Sequence, residues 1–217
     1  MFRVSEYLEA LTLLLRQKFG GRLLYVGLQG SYLRKEATET SDIDIMVILG
    51  GLTVSDLEDY RNSIFSLEAP EKSCGFLCGK DDLANWNPLE ICHLLHTTQD
   101  YYGVLKDFVP AYTQQDVRNF VKLSVNNLYH ELCHRYIHAS RERNISGLPA
   151  TYKGVFFILQ NLFFLQTGTF VPTKAELLPL LSGKDRAVLK QAIQLGAGGA
   201  YNFPESFELL FSWCQDT

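Results

Sequence analysis

The apolar positions along the chain change their period once, about halfway. From Ser5 to Phe19 they recur at helical spacing, with Leu8, Leu11, Leu14 and Leu15 on one face and Gly20-Gly21 as the stop. This predicts a first helix with Ser5 as its cap. Arg22 to Gln29 (RLLYVGLQ) then reads as a strand, which Gly30-Ser31 interrupts to open a short helical or turn segment. Asp42 to Leu49 (DIDIMVIL) has apolar residues on both faces, the pattern of a central, buried strand. Ser55 and Glu58 read as a capping box for a helix reaching about Leu67. Phe76-Leu77 reads as a short strand, and Leu89 to Leu95 (LEICHLL) as another. Such a mixture predicts an α/β or α+β first half.

After Pro110 the pattern is helical throughout. One long helix is expected from Asp116 to about Arg143, with a kink because of its length. A second is expected from Thr151 to Gln166, ending at Gly168. Val155, Phe156, Phe157, Ile158, Leu159, Leu162, Phe163, Phe164 and Leu165 make it apolar all round, as at the centre of a helical core. Thr173 and Glu176 read as a capping box, and Lys184 to Leu195 as an amphipathic helix stopped by the glycines of 196–199. A boundary is therefore expected near residue 112, dividing the chain into a mixed domain, 1–112, and a helical domain, 113–217. No internal repeat or low-complexity tract interrupts either.

Charge divides along the same line. Residues 1–117 carry 10 Lys+Arg and 17 Asp+Glu, and residues 118–217 carry 10 and 7. An acidic half followed by a basic half suits a metal site in one and a polyanion near the other, although solvated surface charge gives the same tally. The total of −4 and the lack of a long basic or aromatic-interleaved stretch point away from a nucleic-acid substrate. The five cysteines form no CxxC pair and read as free thiols of a reducing compartment. Cys74 and Cys78 with His93 and His96 offer zinc-type ligands, but their spacing matches no familiar structural site, and buried apolar thiols are the simpler reading. The polar residues of 5–19 do not form a signal peptide, and the most apolar segment, 154–165, is too short to span a bilayer. A cytoplasmic location is the expectation that follows.

The chemistry concentrates in 30–44, GSYLRKEATETSDID. Asp42 and Asp44 lie two apart on a strand, so both side chains leave the same face. Two adjacent carboxylates are costly in an apolar sheet unless a cation neutralises them. Hard oxygens suit Mg²⁺, which completes its shell with waters and substrate phosphates. The other half of the arrangement is Gly30-Ser31. A glycine lets backbone approach a ligand closely, and N–H groups at a helix start can cradle phosphate oxygens. Ser31 adds a hydroxyl. Arg34, one turn on, can reach a phosphate or pair with a nearby acid.

This stretch resembles the signature of the DNA polymerase beta-type nucleotidyltransferase superfamily, in particular its minimal and antibiotic-modifying members. Gly30, Ser31, Arg34, Ala37, Ser41, Asp42, Ile43 and Asp44 stand at matching positions, while Lys35-Glu36 departs from the small residues common in that turn. The resemblance implies an α+β catalytic domain, a small mixed sheet with flanking helices, followed here by an all-helical substrate-binding domain. It implies transfer of a nucleoside monophosphate, with ATP the usual donor and Mg²⁺ the cofactor, onto an acceptor hydroxyl. The acceptor is a small molecule such as an aminoglycoside, or a protein. It also implies a third carboxylate on a neighbouring strand, acting as metal ligand and general base. Glu90, at the start of LEICHLL, is the candidate, its alternative being a solvent-facing strand end. Asp81 and Asp82 read instead as a helix start. In the helical part, Lys153 is the candidate cation for the triphosphate, against a snorkelling lysine.

Two other functions compete. Asp42 and Asp44 without a third carboxylate would leave an inactive nucleotide-binding or partner-binding module. His130-Glu131-Leu132-Cys133-His134 matches HExxH, a zinc-hydrolase arrangement when it lies on a helix, and His138 extends its face. No clear third ligand follows, and Tyr129, Leu132, Tyr136 and Ile137 at packing intervals read as an ordinary helix with half-buried histidines.

Overall fold

A computed structural model describes residues 2–217. The chain separates into two compact units, 1–112 and 113–217. The first begins with helix α1 (Val4–Phe19) and strand β1 (Leu23–Leu28). A single helical turn, α2 (Gly30–Leu33), precedes β2 (Ile43–Leu49), α3 (Val54–Phe65) and β3 (Ser73–Gly79). The unit ends with α4 (Lys80–Ala84), α5 (Pro88–His96) and the short β4 (Gln99–Tyr102).

The four strands form one mixed sheet in the order β3-β2-β1-β4. β1 runs antiparallel to both β2 and β4, and β2 pairs in parallel with β3. β2 is thus interior, as its two-sided apolar run requires. Alternation divides it cleanly. Ile43, Ile45, Val47 and Leu49 pack with Leu8, Leu11 and Leu15 of α1, while Met46 and Ile48 join Tyr25, Cys78 and Leu83 on the other face. Phe76, Trp86, Leu94 and Leu95 cover that second face. Asp44 shares its parity with Met46 and Ile48, so the carboxylates emerge on the face that α4 and α5 cover.

Three sequence expectations fail here, the first being the Ser5 cap, since α1 already begins at Val4. LEICHLL is not a strand but most of α5. Asn87 accepts a hydrogen bond from the Leu89 N–H and Pro88 occupies the first turn, both helix-start features. The helix after β2 is capped not by Ser55 and Glu58 but by Thr53 and Asp56, two residues earlier. β4 and the C-terminal helix were not anticipated.

The second unit is all helix: α6 (Gln114–His138), α7 (Arg141–Thr151), α8 (Val155–Thr167), α9 (Lys174–Leu177), α10 (Gly183–Gly196) and α11 (Phe203–Asp216). The expected kinked helix is two helices, parted where Ala139 turns extended and Ser140 caps α7. Val155, Phe156, Ile158 and Leu159 of α8 are buried at the centre of the core. By length and composition the helical stretch Arg141–Thr167 could cross a membrane, but half of its most apolar window is buried within the protein. Tyr152 donates to the Ser206 carbonyl at 2.7 Å inside the core, and Trp213 Nε1 donates to Asp185 at 2.7 Å.

Asp56 is the best-connected carboxylate of the first unit. It accepts two hydrogen bonds from the Arg22 guanidinium, at 2.8 and 3.0 Å, and closes a capping box with Thr53. These donors, Arg22 first, hold its carboxyl well below the ordinary range. A depressed folded-state pKa contributes stability above the unfolded value, about 3.9, and loses it as pH falls below. Urea midpoints for wild type and Asp56→Asn should therefore differ clearly at pH 7, and the difference should begin to narrow as pH falls below about 4. Thr53→Ala, which removes the cap alone, should cost about 1 kcal/mol.

Candidate active site

The site is built at the N-terminal end of β2, where the buried strand meets the loop from α2. The Gln29 N–H donates to the Asp44 carbonyl at 2.8 Å, fixing the end of β1 against that of β2. Gly30 follows at φ 69°, in the left-handed region. A Cβ on Gly30 would lie 1.7 Å from Asp44 Oδ2. Only glycine allows the first turn of α2 to sit against this carboxylate. The Gly30-Ser31 step and the Asp-x-Asp pair, ten residues apart in sequence, are thus one packed structure.

The intervening loop is ordered by short polar links. Arg34 pairs with Glu36 at 3.0 Å, the Thr38 N–H donates to Ser41 Oγ at 2.8 Å, and Lys72 Nζ donates to the carbonyls of Glu39 and Ser41. Lys35, where the sequence departs from the small residues expected, adopts φ 57°. A non-glycine residue there carries a backbone cost of roughly 1 kcal/mol.

Asp42 is exposed and Asp44 half-buried. Burial, then the charge of Asp42, raises the Asp44 carboxyl above the usual range, and Arg34 partly offsets both. The pair therefore sits at an electrostatic cost that a bound cation would relieve. In the parallel register Asp44 lies opposite Cys74 of β3. The ligand atoms of Asp42, Asp44 and Cys74 all lie within 4.8 Å of one another, forming a three-donor group among the described residues. Burial and the two carboxylates hold the Cys74 thiol protonated, above its ordinary range. The two carboxylates suit a divalent cation such as Mg²⁺, while the third donor is sulfur instead of oxygen.

Glu90 does not take that third place. It lies in the first turn of α5, exposed, and accepts a 2.6 Å hydrogen bond from Trp86 Nε1. The strand on which it was placed does not exist, and the neighbour of β2 is β3. Asp81 and Asp82 open α4, with Asp82 accepting from the Gly79 N–H at 3.1 Å. What α5 brings towards the site is His93. Burial and the positive charge of Arg34 push its pKa down to about 4, so it is neutral at physiological pH. The sequence offered His93 only as a zinc ligand with Cys74, Cys78 and His96. In the fold Cys78 is buried and Cys74 turns to the aspartates.

Residues 9–69 match the family model of the nucleotidyltransferase domain. The match lies within the first unit and takes in Gly30, Ser31, Asp42 and Asp44. A nucleotidyltransferase domain in this part of the chain supports an enzyme that transfers nucleotidyl groups. The fold extends across the whole chain in a solved spectinomycin adenyltransferase, AAD(9), from Enterococcus faecialis, crystallised with ATP and spectinomycin. The two share 14% identity at a TM-score of 0.60 over 98% of each chain. Two toxin–antitoxin structures, one with AMP-PNP and one a variant of MntA-HpeT, align at TM-scores of 0.35 and 0.34. They show 19% and 20% identity, over 59% and 63% of this chain and 91% and 94% of theirs. No curated protein sequence matches the chain.

In the second unit, Lys153 lies exposed on a single turn before α8. The HExxH segment lies on α6. His130, His134 and His138 are all exposed, not half-buried. Glu131 is engaged structurally, pairing with Arg135 at 3.2 Å and accepting from Thr151 Oγ1 at 2.9 Å. A groove of about 770 Å³ in this unit is lined by Tyr136, Ile137, Phe203, Phe207 and Phe211, with Arg141 and Glu208 as its charged groups.

Gly30→Ala should be disruptive out of proportion to its size. The left-handed backbone alone costs about 1–2 kcal/mol, and Asp44 must also move. A melting temperature lowered by several degrees together with loss of nucleotide binding is expected. The same change at Gly51, where an added Cβ meets nothing within 4 Å, should leave nucleotide binding intact.

Proposed function

We propose that this enzyme transfers AMP from ATP to a hydroxyl group of a small, polyhydroxylated acceptor. The observation that carries the reading is the contact of Gly30 with Asp44. It sets a phosphate-binding turn directly against a carboxylate pair. Asp42 and Asp44 are the residues that would hold Mg²⁺, which when bound neutralises phosphate charge and orients the donor. The N–H groups of Gly30 and Ser31 and the Ser31 hydroxyl would donate to triphosphate oxygens. Arg34 contributes positive charge beside Asp44. Phosphoryl transfer asks little of a protein beyond positioning and charge stabilisation, and this chain supplies both from one loop and two strand ends.

The choice of acceptor rests on the second unit. A solved adenylyltransferase of the same fold carries spectinomycin as well as ATP, and its similarity runs through the helical unit too. A self-contained helical domain with an aromatic groove supports an acceptor bound by this chain itself, and an aminocyclitol-like molecule fits that pattern better than a protein partner. Its five cysteines are all free, in keeping with a reducing, cytoplasmic setting.

Thermal melting with each nucleoside triphosphate, with and without Mg²⁺, tests the donor half without knowledge of the acceptor. ATP with Mg²⁺ at 100 times Kd should stabilise the fold by about 2.7 kcal/mol. Asp42→Asn/Asp44→Asn should abolish that shift. With an aminocyclitol acceptor, the same variant should lower transfer by about a thousandfold or more, since the cation is worth several kcal/mol in the transition state. No Mg²⁺-dependent shift with any nucleotide at millimolar concentration would sink the reading. Binding without product across an acceptor panel would instead favour a nucleotide-binding module.

A further inference from the structure

The third donor beside the aspartates is a thiol, and its position is fixed by the sheet. The parallel register sets Cys74 opposite Asp44 on one face of the sheet, and Asp42, just before β2, brings its carboxylate to the same group. Asp44 and Cys74 stand on two adjacent strands of one sheet, so their spacing is set by backbone pairing and not by a flexible loop. Gly30 packs against Asp44 from the other side, which limits how far that carboxylate can swing. Cys74 is also solvent-exposed, unlike Cys78, Cys92 and Cys214, which are buried in the cores.

We infer that, in the absence of nucleotide and its accompanying Mg²⁺, Asp42, Asp44 and Cys74 form a mixed oxygen–sulfur site that binds a thiophilic divalent cation of the Zn²⁺ class in preference to free Mg²⁺. This rests on the reading of Asp42 and Asp44 as a cation-holding pair, and adds which cation the pair selects. Thiolate sulfur is a poor ligand for Mg²⁺, which demands near-octahedral oxygen, and a good one for Zn²⁺ and Co²⁺. Bonds of about 2.0–2.2 Å to oxygen and about 2.3 Å to sulfur span nearly all of the 4.8 Å within which these donors lie, and side-chain rotation closes the rest. Three protein ligands leave a fourth position open, the pattern of a catalytic and not a structural zinc site. The cation displaces the thiol proton to solvent on binding, so the ion takes its place without a change in oxidation state.

Co²⁺ is the probe, because a cobalt–thiolate bond gives a charge-transfer absorption band that carboxylate ligation does not. The reduced full-length protein is titrated with Co²⁺ in the absence of nucleotide, then challenged with millimolar Mg²⁺ and separately with Zn²⁺. The expected result is a saturable band that Zn²⁺ erases and Mg²⁺ does not. Cys74→Ser should remove the band and weaken Co²⁺ binding by more than the roughly 10–100-fold that even groups outside a coordination sphere contribute. Asp44→Asn should weaken it as well, while Cys133→Ser should leave it unchanged. Cys74→Asp restores an all-oxygen set and should shift preference towards Mg²⁺, with circular dichroism confirming that each variant is folded. Absence of the band, or its survival in Cys74→Ser, overturns the inference. Because no nucleotide is present, a missing band with an intact ATP–Mg²⁺ melting shift defeats this inference alone. A band without any nucleotide shift defeats nucleotidyl transfer and leaves the cation site standing.

Discussion

Two carboxylates at the end of a buried strand are an unfavourable arrangement, and the first unit is organised around tolerating it. β2 is the most deeply buried strand, covered by α1 on one face and by α4 and α5 on the other. Its apolar residues hold it there, and that rigidity keeps Asp42 and Asp44 from separating. The chain then reduces the cost where it can. The backbone turn at Gly30 closes on Asp44, and the charge of Arg34 lies near it. A cation bound between the two carboxylates would relieve the cost that is left over. The strain at Lys35 and the raised Asp44 carboxyl are the local signs of a site held in readiness.

The second unit follows a different rule. It has no comparable group of metal-type ligands among the described residues, and its organisation comes from burying α8 within the surrounding helices. Two polar side chains inside that core donate to backbone, Tyr152 to the Ser206 carbonyl and Gln160 Nε2 to the Val171 carbonyl, each at 2.7 Å. Such a core gives a stable platform whose surface is free to specialise. The aromatic row of Phe203, Phe207 and Phe211 lies one turn apart on α11, beside Tyr136 of α6. The HExxH segment shows how a motif is emptied by its surroundings. Its glutamate anchors Arg135 and Thr151, and its histidines face water.

The sequence by itself determined the elements whose signals are local. The apolar run of β2 required an interior strand, and period 3.6 marked α1 and α10. The catalytic signature also lay within one stretch, because Gly30, Ser31, Asp42 and Asp44 are joined by a short loop. LEICHLL misled because seven mostly apolar residues have no decisive period. The better evidence was its flank, where Asn87 and Pro88 form a helix start. β4 is short and mostly exposed, and pairs with β1 alone, so its pattern carried little information. Tertiary structure alone decided the rest of the site. The parallel pairing of β2 with β3 joins residues about thirty apart, and nothing local in Ser73–Gly79 announces that Cys74 faces Asp44. Likewise α5 had to fold onto the sheet before His93, and not Glu90, was directed at Arg34. Local periodicity states which face of an element is buried, whereas strand register states which side chains meet, and the third donor depended on the second.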